Sequence, residues 1–209
     1  MLLCFDTATP QVTVALHDGQ QVVASWSSEQ SMRHGEMLAP GIAEVLREAG
    51  ASNTDLTAIG VGVGPGPFTG LRVGLVTART LALALEVPAY GVCSLDILAA
   101  QAQDAGETDF VVATDARRKE VYLAAYDGHG RLGDPNVLKP VDAATDRTVI
   151  GSGGQLYPDA FPNARGPLHP DAAVLADVIV RKRFNVVDPE PLYLRRPDAA
   201  APGAPKKVS

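Results

Sequence analysis

The stretch with the most chemical promise is Gly62-Val63-Gly64-Pro65-Gly66-Pro67-Phe68-Thr69-Gly70, set between an apolar run and a strongly helical one. Glycines there permit φ > 0 and let the backbone approach a second group with no Cβ in the way. A helix starting after such a turn offers unpaired N–H groups and the positive end of its dipole, which suits an anion. Yet the chemistry of the common phosphate cradles is missing. No Lys precedes Lys119, so G-x-x-x-x-G-K-[ST] is absent, and the spacing misses G-x-G-x-x-G. Two readings stand. The turn is either a tight strand–helix connection that packs against something, or a vestigial phosphate turn in which Gly64, Gly66, Thr69, Gly70 and Arg72 remain as contacts.

Two carboxylates lie where strands are expected to end. Asp6 opens Asp6-Thr7-Ala8-Thr9, and Asp115 opens Asp115-Ala116-Arg117-Arg118. Two such strand ends facing each other form the nucleotide cleft of the actin, sugar-kinase and chaperone-ATPase superfamily, where the first loop usually reads Asp-x-Gly-Thr. Here Ala8 stands where that glycine would be, and no glycine follows Asp115. Asp6 and Thr7 are therefore either hairpin residues or surviving nucleotide contacts. His17, His34, His129 and His169 form no H-x-x-x-H or H-E-x-x-H pair, so no metal site is expected. Cys4 and Cys93 sit beside apolar residues with no electropositive neighbour, which argues against a cysteine nucleophile.

The elements that must position these groups follow from periodicity. Residues 2–6, 12–17 and 21–27 read as strands, with Asp18-Gly19 turning a hairpin between the last two. An amphipathic helix is predicted over 34–49, stopped by Gly50, with Pro40 in its early part. A strand at 58–63, the glycine turn and a helix over 73–85 come next. A short strand at 89–92 precedes a helix from Ser94, its candidate cap, to about Gln103. Further on, 110–114 and 120–126 read as paired strands and 148–150 as another, leading into Gly151-Ser152-Gly153-Gly154. A last helix, capped by Asp171, is predicted to reach about Phe184. Each half thus has antiparallel strands first and a strand–glycine turn later, as in a duplicated α/β domain. The polar stretch 103–109 marks a boundary, giving lobes over 1–103 and 104–196, with 197–209 predicted to lack order.

The 209 residues can bury one large core or two small ones. No apolar stretch approaches the ~20 residues of a membrane helix, and no signal peptide is evident, so a cytoplasmic protein with no membrane attachment is expected. A net charge of −6 argues against extensive tRNA or DNA contact by this chain alone.

Several stretches, in order along almost the whole chain, resemble one family. They are Phe5-Asp6-Thr7-Ala8-Thr9, His34-Gly35-Glu36 with Leu38 and Pro40, and Gly64-Pro65-Gly66-Pro67-Phe68-Thr69-Gly70-Leu71-Arg72-Val73-Gly74. Gly91-Val92-Cys93-Ser94-Leu95, Asp115-Ala116-Arg117-Arg118-Lys119-Glu120-Val121-Tyr122 and Pro191-Leu192-Tyr193-Leu194-Arg195 complete the set. The pattern G-P-G-x-F-T-G-x-R in particular resembles the TsaB (YeaZ) family of tRNA threonylcarbamoyladenosine biosynthesis. Pro67 where Ser is common, a compressed 130–145 segment and the Ala/Pro/Lys tail depart from it.

The resemblance implies a two-lobed α/β fold of the actin/sugar-kinase/chaperone-ATPase type (ASKHA, ribonuclease H-like) with a reduced C-terminal lobe. It implies a non-catalytic subunit that binds TsaD, alongside the ATPase TsaE, while TsaD transfers threonylcarbamoyl to the adenosine next to the anticodon. By helical spacing the first helix carries a wide apolar stripe, Met37, Leu38, Gly41, Ile42, Val45 and Leu46, in which Gly41 would admit a second helix, and the second adds Val76, Thr80 and Leu83. Either both stripes face only their own sheet or, as the resemblance implies, these two helices pair with the equivalent two of TsaD. The same surface would form a homodimer when the partner is missing, and tRNA would be met only through the complex. No cofactor is expected to bind tightly, though ATP or ADP could lodge at the subunit junction. Two other functions stay open: an active small-molecule kinase or ATPase of the same fold, and the peptidase that an older family label suggests.

Overall fold

The structure, a computed structural model, describes residues 1–28 and 33–195. In the first half β1 (Leu2–Asp6), β2 (Thr13–His17) and β3 (Val22–Ser27) form an antiparallel meander. On the other side of β1 lie β4 (Ala58–Gly62) and then β5 (Ala89–Val92), both parallel to it. The second half repeats this plan. β6 (Asp109–Asp115), β7 (Val121–Asp127) and β8 (Gly130–Leu138) form the meander, and β9 (Thr148–Ile150) and β10 (Ala164–Arg165) add in parallel. Two sheets of the same strand order in one chain are the duplicated, two-lobed ASKHA-like architecture expected from the sequence.

Helix α1 (His34–Glu48) packs on β2 and β3, and α2 (Phe68–Leu85) packs on β4. They cover one face of the first sheet, burying Leu3, Phe5, Val14 and Leu16. The alternate residues Leu2, Cys4 and Ala15 point the other way, toward α5 (Ala172–Arg181). Burial on both faces is why β1 reads as an unbroken apolar run rather than an alternating one. Helix α3 (Ser94–Asp104) sends Leu95, Leu98 and Ala102 into the core of the second sheet, against Phe110 and Tyr126, and so lies between the lobes. The second lobe is lean, with only the five-residue α4 (Ser152–Leu156) between β9 and β10.

The chain does not divide once. Residues 104–196 are predicted as a single C-terminal lobe, yet α5 packs on β1 and β2, and β11 (Val186–Val187) pairs antiparallel with β5. The last described segment therefore completes the first sheet. Helix α2 starts at Phe68, not Val73, because Gly70 and Gly74 are helical residues pressed against Thr7 rather than breakers. The Gly151–Gly154 stretch is likewise the start of α4 and not a free turn. Strand β8 escapes its sequence pattern because Gly133 and Pro135 interrupt it, which an edge strand tolerates. The tail 197–209 lies outside the described residues.

Candidate functional site

The glycine turn and the first loop close on each other. Asp6 is buried; its Oδ1 accepts from Ala8 N at 2.8 Å, and its Oδ2 accepts from Ser94 Oγ at 2.6 Å. Ser94 Oγ in turn accepts from Gly64 N at 3.2 Å, and Ser94 N donates to Gly64 O at 2.7 Å. Ser94 is thus the first residue of α3 and no side-chain cap of it; its hydroxyl serves the carboxylate instead. Burial pushes the Asp6 carboxyl up, opposed by the Ser94 and Ala8 hydrogen bonds and by nearby His34. Thr7 Oγ1 donates to Gly70 O at 2.8 Å. His34 is buried at the start of α1 with Nε2 2.7 Å from Thr9 O, so that nitrogen must carry the proton.

These contacts show what the glycines approach. A methyl group at Gly62 would strike the Asp6 carboxylate, one at Gly66 the Ala8 carbonyl, and one at Gly74 the Thr7 hydroxyl. At Gly70 it would lie 2.6 Å from Thr7 O. The group brought close is therefore the chain's own first loop. Of the candidate phosphate contacts, Asp6, Thr7, Gly64, Gly66 and Gly70 come together but are occupied with one another. Thr69 and Arg72 lie outside on α2, where the Arg72 guanidinium stands 3.7 Å from the Phe68 ring centroid.

Asp115 does face the first loop across the crevice between the lobes. That crevice, floored by Thr9 and Pro67 and closed by Asp115 and Ser152, holds about 10 Å3, room for at most one water. Asp115 Oδ1 accepts from Arg117 N at 2.7 Å, a local turn bond. Among the described residues, no three His, Cys, Asp or Glu side chains stand close enough to share a metal ion. Cys4 and Cys93 are free and buried; burial pushes the Cys4 thiol up strongly and, with the Asp96 charge, lifts Cys93 to about 12. Neither offers a thiolate at neutral pH.

The predicted partner surface divides sharply. On α1, Leu38, Gly41, Ile42, Val45 and Leu46 are buried in the chain's own core, and Met37 packs partly against it. Within this chain the apolar stripe of α1 faces the sheet, one of the two uses that the sequence leaves open, with Met37 alone of the six only partly covered. A Cβ on Gly41 would lie 2.7 Å from Trp26 Cζ3, so its missing side chain makes room for the indole rather than for a second helix. On α2 the reverse holds. Leu71, Leu75 and Ala78 face inward, while Val76 is 62% exposed, Leu83 81% exposed and Thr80 exposed between them. Because α2 begins five residues early, it reaches 18 residues, and by length and composition it alone among the described helices could cross a membrane. Only 28% of it is buried. The sequence reading also passed over Phe68 and Tyr193, 41% and 39% exposed, whose rings stack 5.7 Å apart; a phenylalanine inside a glycine turn was the available signal.

A family model described as TsaD, tRNA N6-adenosine threonylcarbamoyltransferase, matches residues 23–166. The TsaB protein of Escherichia coli is 35% identical over 172 residues, 76% of this chain and 74% of that protein. The chain belongs to the TsaB family. An uncharacterized protein of Mycobacterium tuberculosis is 40% identical over 95% of this chain and 93% of its own length. One from Mycobacterium leprae is 38% identical, and this chain spans only 56% of it. YeaZ of Pseudomonas aeruginosa superposes with a TM-score of 0.76 at 31% identity, covering 92% of this chain and 99% of that one. A second P. aeruginosa structure, described as similar to the peptidase YeaZ, gives 0.79 at 32% identity, over 93% and 99%. Members of the TsaB family are named for tRNA threonylcarbamoyladenosine biosynthesis.

Proposed function

We propose that this chain is the non-catalytic subunit of a tRNA threonylcarbamoyladenosine machinery and works by docking its TsaD-like sister. One observation carries the reading: α2 leaves Val76, Thr80 and Leu83 in solvent, an apolar stripe at helical spacing on an otherwise covered sheet. The filled first loop supports it, since the groups that would hold a phosphate hold each other. A related subunit of the same fold presents an equivalent helix, and the two pack as a pseudo-symmetric pair. A second copy of this chain takes the sister's place in a homodimer when the sister is absent.

The rest of the assembly follows from this role. TsaE joins the pair as its ATPase, and tRNA enters as substrate of the whole complex. ATP or ADP lodges at the subunit junction rather than in the crevice between the lobes, which holds about 10 Å3. A tRNA-modifying role is cytoplasmic work.

The experiment is reconstitution. Transfer of threonylcarbamoyl to tRNA is measured with TsaD and TsaE, with and without this chain, and with the Leu83→Glu variant. The reading expects activity that depends on the chain and association weakened at least about tenfold by the buried charge, roughly 1.4 kcal/mol. Full activity in its absence, or unchanged affinity of a folded Leu83→Glu protein, overturns it.

A further inference from the structure

The outer face of α2 carries charge as well as apolar surface. Phe68, Arg72, Val76, Thr80 and Leu83 are exposed and recur at helical spacing, so they form one row along the helix, with Arg79 beside it. Between Phe68 and Leu85 there are two arginines and no acidic residue. The other described helices of ten or more residues all carry acids: Glu36, Glu44 and Glu48 on α1, Asp96 and Asp104 on α3, Asp177 on α5. Helix α2 therefore lacks the charge that a chain of net −6 has in excess.

Its two arginines differ in their surroundings. Arg79 is paired with Glu190, which the segment after β11 brings beside α2. Arg72 is exposed over the Phe68 ring, 3.7 Å from its centroid, and among the described residues no carboxylate stands within ion-pair distance of it. A guanidinium held over a ring keeps N–H groups at its edge for a carboxylate. When another helix covers this face, the Arg72 charge loses water, and only a carboxylate on the incoming side can answer it.

A second copy of this chain does not supply that carboxylate from α2. Laid parallel, Arg72 meets its own equivalent. Laid antiparallel about Val76, it meets Thr80, next to Arg79. The register that brings it to Glu86, the first acid past the helix, centres on Arg79 and sets the two Arg79 side chains together. On α1, Glu36 and Glu44 are held by Arg33 and Arg47. We infer, resting on the docking role proposed above, that α2 chooses its partner by charge. It fits a helix with an acidic side chain opposite Arg72, and Arg72 disfavours pairing of this chain with itself. Opposite charges across an interface steer and hold the right partner, and like charges suppress the wrong one.

Two association constants of the full chain test this: self-association by analytical ultracentrifugation, and binding to TsaD by titration calorimetry. Raising salt to about 0.5 M screens both terms, so binding to TsaD should weaken while self-association tightens. Arg72→Glu should weaken binding to TsaD at least about tenfold and tighten self-association at least about fivefold, the new carboxylates meeting the arginines of the other copy. Arg72→Gln should move both constants the same way by smaller factors, and Arg72→Lys, which keeps the charge, should keep the wild-type order. Arg72 is exposed, and an unchanged urea midpoint confirms that the variants fold. Unchanged affinity of folded Arg72→Glu for TsaD, or self-association of that variant no tighter than that of the wild type, overturns the inference. Leu83→Glu tells the failures apart. If it leaves both associations intact, the docking reading itself falls. If it weakens both while the Arg72 variants change neither, the helix docks without regard to charge and only the present inference falls.

Discussion

Ser94 Oγ lies 2.6 Å from Asp6 Oδ2 and donates to it, joining the end of β1 to the start of α3. The same oxygen accepts from Gly64 N, so one hydroxyl ties three chain segments beside the first loop. The carboxylate has become part of the core. It is held where burial raises its pKa, with the neighbouring hydrogen bonds limiting the rise.

That arrangement has a pH signature. The Asp6 carboxyl is raised in the folded protein above its ordinary value of 3.8. Its contribution to stability is therefore complete below that value and is lost as pH rises through the raised folded value. Urea unfolding of the wild type and of Asp6→Asn across this range should show the difference moving against the wild type as pH increases. Ser94→Ala removes a donor to the buried carboxylate and should cost about 1–3 kcal/mol at neutral pH. It should also push the pH effect further upward. A pH-independent difference between wild type and Asp6→Asn would mean the carboxylate is solvated.

Gly41→Ala discriminates between the two uses of α1. In an exposed helix the change gains up to about 1 kcal/mol, because alanine is the better helix former. Here the new methyl enters the Trp26 ring, and overpacking of this kind costs about 1–3 kcal/mol. A lower urea midpoint, with a shift in the fluorescence of the single tryptophan, is the expected result. Likewise Val45→Glu should prevent folding, whereas Val76→Glu should leave the midpoint in place and weaken association alone. A stabilised Gly41→Ala protein that no longer associates would return α1 to the interface.

This helix also shows where the sequence is legible and where it is not. Its boundaries, the Asp18-Gly19 hairpin turn and the Asp171 cap, which accepts from Ala173 N at 2.8 Å, all come from local chemistry and periodicity. The stripe Leu38, Ile42, Val45 and Leu46 is equally plain, but periodicity says only that a face is apolar, not which layer covers it. Trp26, fifteen residues away in sequence, decides that. The glycine turn is similar. Close approach by a second group is readable from the residue types, while the identity of that group, Thr7 and Ala8, is a tertiary fact. The return of β11 to the first sheet rests on a two-residue strand, too short for any pattern to mark.

The two cysteines give a direct chemical test of the site. Cys93 is lifted to about 12 and Cys4 is raised more strongly, both chiefly by burial. A thiol reagent at pH 8 should therefore label neither in the native protein within the time that it labels both in denaturant. Rapid modification of one thiol in the folded chain would show a reactive cysteine and reopen the peptidase reading.

The joint between the lobes holds a buried ion pair. Asp96, buried on α3, accepts from Tyr126 OH at 2.7 Å, and Arg131 Nη1 stands 2.9 and 3.0 Å from its two oxygens. Tyr126 also stacks on Phe110, so the carboxylate fastens α3 to the core of the second sheet. Burial raises the Asp96 pKa, opposed first by the Arg131 charge and then by the Tyr126 hydrogen bond. Arg131→Met leaves that charge without its cation, and breaking a buried pair from one side costs about 3–5 kcal/mol. Replacing both partners by apolar residues of similar size, Asp96→Leu with Arg131→Met, should recover much of the loss, because no charge then remains to be solvated. A double-mutant cycle by urea denaturation reads this directly, and an additive double variant would show that the two side chains do not act as a pair.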